Sequence, residues 1–186
     1  MEIKEAKNFQ PIHDFIQGEG VNISQKRYKD IQSIYAKVDT SLAEDTLMYE
    51  VYTLEEDQPS LGSLCWGLSV LYPVSVCGEC NMTRGHYHCD PTCNEFYYGA
   101  SGEGLLLLTD ENGNTYAETV KEGSLHHILG YQAHRLVNTG NTPLKVICAW
   151  SSQAGHDYKR MEREPFSARI FKEEGKLVIK DLIQKD

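Results

Sequence analysis

Short runs of β-branched and aromatic residues, separated by turn residues, dominate the chain from Thr46 onward. Leu47–Leu54 is rich in Tyr and Val, and Leu64–Tyr72 has the apolar character of a buried strand. Glu95–Tyr98 leads into Gly99-Ala100-Ser101-Gly102, and the Leu105–Leu108 run follows. Asn112-Gly113 is a strong hairpin signal, because both residues tolerate positive φ. Further strands are predicted over Thr115–Val120, Leu125–Leu129, Arg135–Asn138 and Leu144–Trp150, with turns at Glu122-Gly123 and Thr139–Pro143. Ala168–Phe171 and Leu177–Ile179 flank Glu173-Glu174-Gly175 as a last hairpin. Upstream the period changes: Tyr28, Ile31, Ile34 and Tyr35 recur at helical spacing and predict one amphipathic helix within Gln25–Lys37. Regular strand spacing with few helices predicts an all-β antiparallel sandwich or barrel preceded by a short N-terminal helical region.

Composition narrows this picture. The 186 residues suit one domain, and no repeat, linker or low-complexity stretch divides them. With 40% hydrophobic and 24% charged residues, the chain has enough apolar surface to fold. A net charge of −9 argues against a nucleic-acid partner, which would demand a concentrated basic stripe, but leaves small anionic ligands open. Leu105–Leu108 is among the longest apolar runs and is far too short to span a membrane. Met1–Ala6 shows no basic and apolar signal pattern, so a cytoplasmic location is expected. The cysteines at 65, 77, 80, 89, 93 and 148 are accordingly expected as reduced thiols.

Candidate chemistry centres on Gly85-His86-Tyr87-His88, with Glu95 and His134 further on. On a strand, residues two apart share a face, so His86 and His88 can present both imidazoles to one cavity. Glu95 opens the next predicted strand and His134 begins a third. Three imidazoles and one carboxylate form a mixed nitrogen and oxygen set suited to a divalent first-row metal. His-x-His alone is also common on strand surfaces. Cys77-x-x-Cys80 and Cys89-x-x-x-Cys93 offer a rival ligand set, readable as a structural zinc site or as incidental thiols.

Gly85-His86-Tyr87-His88, Glu95 and Gly102 resemble the first cupin motif, and Gly123, His134 and Asn138 resemble the second. The gap from His88 to Glu95 is longer than in most cupins, and Leu129 and Tyr131 replace the usual Pro and Gly of the second motif. Thr83–His88, Ala133–Gly140 and Ala154-Gly155-His156-Asp157-Tyr158 together look like the archaeal-type, cupin-fold glucose-6-phosphate isomerase family, as do Tyr49–Tyr52 and Val70–Pro73. The resemblance covers roughly residues 45 to 180. It implies a single cupin domain, a double-stranded β-helix or jelly-roll barrel.

The resemblance also implies roles. His86, His88, Glu95 and His134 would hold one divalent metal, iron by the family's habit, with manganese, nickel or zinc also suited. Glu95 and His134 would be catalytic in aldose–ketose interconversion of glucose 6-phosphate and fructose 6-phosphate, Glu95 as the favoured general base on an enediol path, with a hydride shift between the two carbons as the other path. Ser69, Thr83, Gly85, Tyr97, His156 and Tyr158 would bind the phosphorylated sugar, with Tyr49 and Tyr131 at nearby aromatic positions. Trp150 stands where the family has Tyr. A homodimer is the implied assembly. Alternatives are another cupin sugar or sugar-phosphate isomerase or epimerase, and a metal cupin that binds a sugar without catalysis.

Overall fold

The computed structural model describes residues 8–9, 15–54 and 60–182. The Met1–Ala6 stretch lies outside the described residues. The early strands are β1 (Asn8–Phe9), β2 (Gln17–Gly18), β3 (Asn22–Arg27), β4 (Leu47–Leu54), β5 (Leu64–Leu71), β6 (Ser75–Val76) and β7 (Glu79–Cys80). They are followed by β8 (Glu95–Ser101), β9 (Glu103–Thr109), β10 (Thr115–Lys121), β11 (Leu125–Ile128), β12 (His134–Asn138), β13 (Leu144–Ser151), β14 (Ala168–Glu173) and β15 (Lys176–Asp181). Helices α1 (Tyr28–Ile31), continued by a 3-10 turn at Gln32–Ile34, and α2 (Tyr158–Arg163) are short.

Alternation along the strands builds two facing antiparallel sheets. The larger has the order β11-β8-β13-β5-β4-β3, the smaller β10-β9-β12. Isolated bridges Met82–Val137 and His86–His134 lay residues 82–88 along the other edge of β12 and extend the smaller sheet. Tyr49, Leu71, Tyr97 and Val146 from one sheet share a core with Leu106, Leu108 and Leu136 from the other. The chain changes sheet between β8 and β9 at Gly102, whose φ is +81° and where a Cβ would lie 2.5 Å from the Pro143 oxygen. This arrangement is the all-β cupin barrel expected from the sequence.

The outer faces are covered as well, which explains the near-continuous burial of β5 and β9. Phe15 stacks on Tyr52 with centroids 5.4 Å apart, and Ile16 packs with Leu68 and Val70 behind the larger sheet. Behind the smaller sheet, Leu107, Val137 and Ile170 of β14 join the main core.

The helix expected over Gln25–Lys37 is not continuous. Gln25–Arg27 instead complete β3, where pairing with β4 supplies hydrogen bonds that outweigh helical propensity. Asp30 accepts from the Arg27 amide at 2.8 Å and starts the single turn of α1. Tyr28, Ile31 and Tyr35 are buried as their spacing suggested. The strand expected for His86–His88 is reduced to single bridges, one to β12 and one from Tyr87 to Asp157.

Asn81 fixes the start of that bridging segment. It is fully buried: its Nδ2 donates to Met48 O at 2.6 Å and Tyr72 O at 2.8 Å, and its Oδ1 accepts from the Tyr35 hydroxyl at 2.8 Å. Asn81→Ala strips the Tyr35 hydroxyl of its acceptor and takes one of two donors from each of the Met48 and Tyr72 carbonyls, so urea unfolding is expected to show a loss of about 2 kcal/mol or more. A loss below about 1 kcal/mol would show that these bonds do not anchor the segment.

Candidate metal centre and pocket

Residues 82–88 run extended beside β12, so His86 and His88 turn into the barrel while Tyr87 turns away beneath the Arg160 guanidinium, 4.0 Å from its ring centre. Backbone bonds between His86 and His134, at 3.3 and 3.1 Å, set the two imidazoles side by side. Glu95, the first residue of β8, reaches the same point from the larger sheet. One ligand atom from each of His86, His88, Glu95 and His134 lies within 4.8 Å of all the others.

The supporting contacts aim the rings. His88 Nδ1 lies 2.6 Å from the Cys93 carbonyl and His134 Nδ1 3.4 Å from that of Gln132. Donation from Nδ1 to those oxygens assigns the tautomer and leaves Nε2 as a lone-pair donor facing inward. Glu95 Oε2 sits 3.2 Å from His88 Nε2 and 3.0 Å from His134 Nε2. The second approach is close but misaligned, and both His86 Nε2 and His134 Nε2 are buried without a hydrogen-bond partner. Buried, unsatisfied nitrogens converging on a carboxylate are what a cation's ligands look like, and the donor set fits a divalent first-row ion.

The charges of Glu95 and His86 agree with this reading. Burial opposes ionisation of Glu95, yet His134 and His88 outweigh it and hold the carboxyl down to about 2. Burial, helped by His134, His156 and His88, pushes His86 well below the usual range and keeps it neutral, the form that ligates. For His88 burial also disfavours charge, but Glu95 and the Cys93 carbonyl prevail and raise its pKa.

A cavity of about 320 Å³ opens over this centre. Of the residues assigned to it from the sequence, Ser69, Thr83, Gly85, Tyr97, His156 and Tyr158 all line it, together with His86, Glu95 and His134. His88 lies behind them. His156 meets His86 edge-on at 4.3 Å and lies 5.8 Å from Tyr158. Thr83 Oγ1 accepts from the Leu136 amide at 3.1 Å, which leaves its hydroxyl hydrogen for a ligand. Burial drives the Tyr97 phenol well above its usual pKa, so it stays a neutral donor.

Tyr49 and Trp150 also line the cavity, whereas Tyr131 does not. Tyr131 falls in the turn before β12, near Asp110, Glu111 and Tyr116, on the outside of the barrel. Lys26 and Arg84 line the cavity and were not singled out from sequence. Lys26 was hidden by the helical reading; as a β3 residue opposite Tyr49 it shares the inward face. Arg84 was within the quoted motif, and its guanidinium lies 4.4 Å over the Tyr158 ring.

The cysteine pairs do not form a ligand group among the described residues. Cys77 sits in a turn against Val38 and Asp39, while Cys89 lies against Gly155 near the loop before Glu95. The intervening backbone turns the two pairs toward different neighbours. No helix among the described residues is long and apolar enough to cross a membrane.

Comparison with known proteins follows the same lines. A glucose-6-phosphate isomerase from Thermococcus kodakarensis is 36% identical over 140 residues, covering 75% of this chain and 74% of that protein. One from Pyrococcus horikoshii is 31% identical over 174 residues, 90% of this chain and 92% of that one. Among solved structures, an oxalate oxidase in complex with glycolate aligns with a TM-score of 0.46 at 15% identity, over 76% of this chain and 56% of the other. The family model described as glucose-6-phosphate isomerase matches residues 25–185, and the chain belongs to that family of isomerases.

Proposed function

We propose that this isomerase interconverts glucose 6-phosphate and fructose 6-phosphate and depends on one divalent metal. The observation that carries the reading is the largely buried His86, His88, Glu95 and His134 quartet, with two unsatisfied Nε2 atoms, at the floor of a cavity rimmed by hydroxyl, imidazole and cationic groups. A divalent ion held by those four residues would supply Lewis acidity at the sugar's C1 and C2 oxygens.

The chain's own groups account for the rest. Glu95 is ionised and only 6% exposed, so a proton it takes from C2 of the aldose at a carboxylate oxygen is shielded from bulk water and can be returned to C1, while the O2 hydroxyl proton passes to O1 to complete the exchange. His134 and His88 Nε2 lie 3.0 and 3.2 Å from the carboxylate, close enough that an ion shared between them would hold it oriented. Thr83, the Gly85 amide, His156 and Tyr158 form the phosphate end, with Ser69 and Tyr97 on the facing sheet toward the sugar. Binding energy gathered at the phosphate holds the reacting carbons over Glu95. The substrate itself is assigned from the family and from this fit.

Leu64, Phe96 and Leu125 are exposed on the outer face of the larger sheet, which supports a second copy of the chain as the partner there. The reading also places the enzyme with soluble sugar-phosphate metabolism in the cytoplasm.

Metal analysis of the purified protein is expected to find one divalent ion per chain, and its identity is read from the same measurement. Chelation should abolish turnover of fructose 6-phosphate, and re-addition should restore it; full turnover in verified metal-free protein would overturn metal dependence. Glu95→Gln retains shape without basicity and should lower kcat by about 100-fold or more while KM stays within a few-fold. Unchanged kcat would remove Glu95 as the base. His156→Ala, at an exposed position, should raise KM for glucose 6-phosphate about tenfold and leave any turnover of free glucose unaltered. Equal turnover of glucose and its phosphate by the wild type would refute the sugar-phosphate assignment.

A further inference from the structure

One half-buried cation of the barrel forms no ion pair among the described residues. Arg135 follows His134 on β12 and therefore points to the opposite face, under the layer formed by Phe166 and β14. Its Nη2 donates to the Arg84 carbonyl at 2.5 Å, its Nη1 lies 2.9 Å from Met82 Sδ, and its guanidinium stacks 4.7 Å from the Phe166 ring centre. Its Nε is buried with no hydrogen-bond partner, and no carboxylate lies at ion-pair distance among the described residues. The nearby carboxylate of Glu79 is occupied by Arg169, at 2.8 Å. Arginine remains protonated in such surroundings, so this is a partly desolvated positive charge.

Its location gives that charge a use. A Cβ at Gly85 would lie 3.1 Å from Arg135 Nε and 3.0 Å from Phe166 Cε2, so the guanidinium sits directly beneath the Arg84–Gly85 backbone. Gly85 has φ +75°, a conformation that only glycine adopts without strain. From the cavity side, the Tyr49 hydroxyl meets the Arg84 backbone. Arg84 is thus pinned from within by Tyr49 and from behind by Arg135. The groups on either side of it, Thr83 and Gly85, line the cavity.

We infer that Arg135 is a positioning residue for the substrate's phosphate. It holds the Thr83–Gly85 backbone in its ligand-facing conformation and sets behind it a positive charge that no described carboxylate pairs with, matched to a dianion. The inference rests on the sugar-phosphate reading proposed above. An overall charge of −9 makes such a local source of positive potential more consequential.

Arg135→Lys keeps the charge and loses the planar fork that spans the Arg84 carbonyl and the Phe166 ring. With metal content unchanged at the wild-type ratio, KM for glucose 6-phosphate should rise about tenfold and kcat stay within about threefold, since one charge-assisted bond is removed away from the reacting carbons. The inhibition constant of inorganic phosphate, used as the probe, should rise in parallel. Phe166→Leu, which removes the platform under the guanidinium, should shift both constants in the same direction by a smaller factor. A merely structural role would lower melting temperature without moving the phosphate constant. Variants that match the wild type in both constants overturn the inference, as do variants that lose kcat while phosphate inhibition is unchanged. If the wild type neither turns over glucose 6-phosphate nor responds to phosphate, the sugar-phosphate reading itself falls and the inference with it; a wild type that does both, with unchanged variants, removes the inference alone.

Discussion

A carboxylate buried at the centre of an apolar barrel must have positive charge or hydrogen-bond donors beside it, and the architecture around Glu95 supplies them from a different sheet. Glu95 opens a strand of the larger sheet, while His86, His88 and His134 belong to the smaller one and its bridged edge. The facing sheets must therefore be spaced and registered so that these groups meet. Core residues on both inner faces, the sheet change at Gly102 and the anchoring of residues 82–88 by Asn81 all serve that meeting.

The bonds that hold the imidazoles come from outside the quartet. Carbonyls of Cys93 and Gln132 engage Nδ1 atoms, so irregular backbone between strands decides where the Nε2 lone pairs point. That gives the long loop between His88 and Glu95 a concrete duty. The Cys93 side chain need not ligate anything for residue 93 to matter, because its carbonyl oxygen is the working group.

Most strand positions were legible because period-2 alternation and turn residues survive in a half-buried sheet. The meeting of His86, His88, Glu95 and His134 was legible for the same reason: residues sharing a face are two apart, and Glu95 and His134 open their own strands. Legibility failed where tertiary pairing overrode a local period. Tyr28, Ile31, Ile34 and Tyr35 carry a helical spacing, yet β4 takes the preceding residues as its edge partner and thereby brings Lys26 to the cavity. Arg84 and Arg135 escaped notice for another reason. A lone basic residue beside a motif gives no sign of what it will face: Arg135 is met by Phe166, and Arg84 by the Tyr158 ring, only once the chain has folded.

The alternation along β12 reaches beyond either face taken singly. His134 enters the barrel and Arg135 leaves it, and each is matched to a partner that the other cannot satisfy. A slip of one position in the pairing of β12 would carry a guanidinium into the imidazole cluster and an imidazole under Phe166. The turn from Leu129 to Ala133, though it runs between strands where length usually drifts freely, is consequently intolerant of single-residue insertion or deletion. Substitution within that turn is therefore expected to be better tolerated than any change in its length.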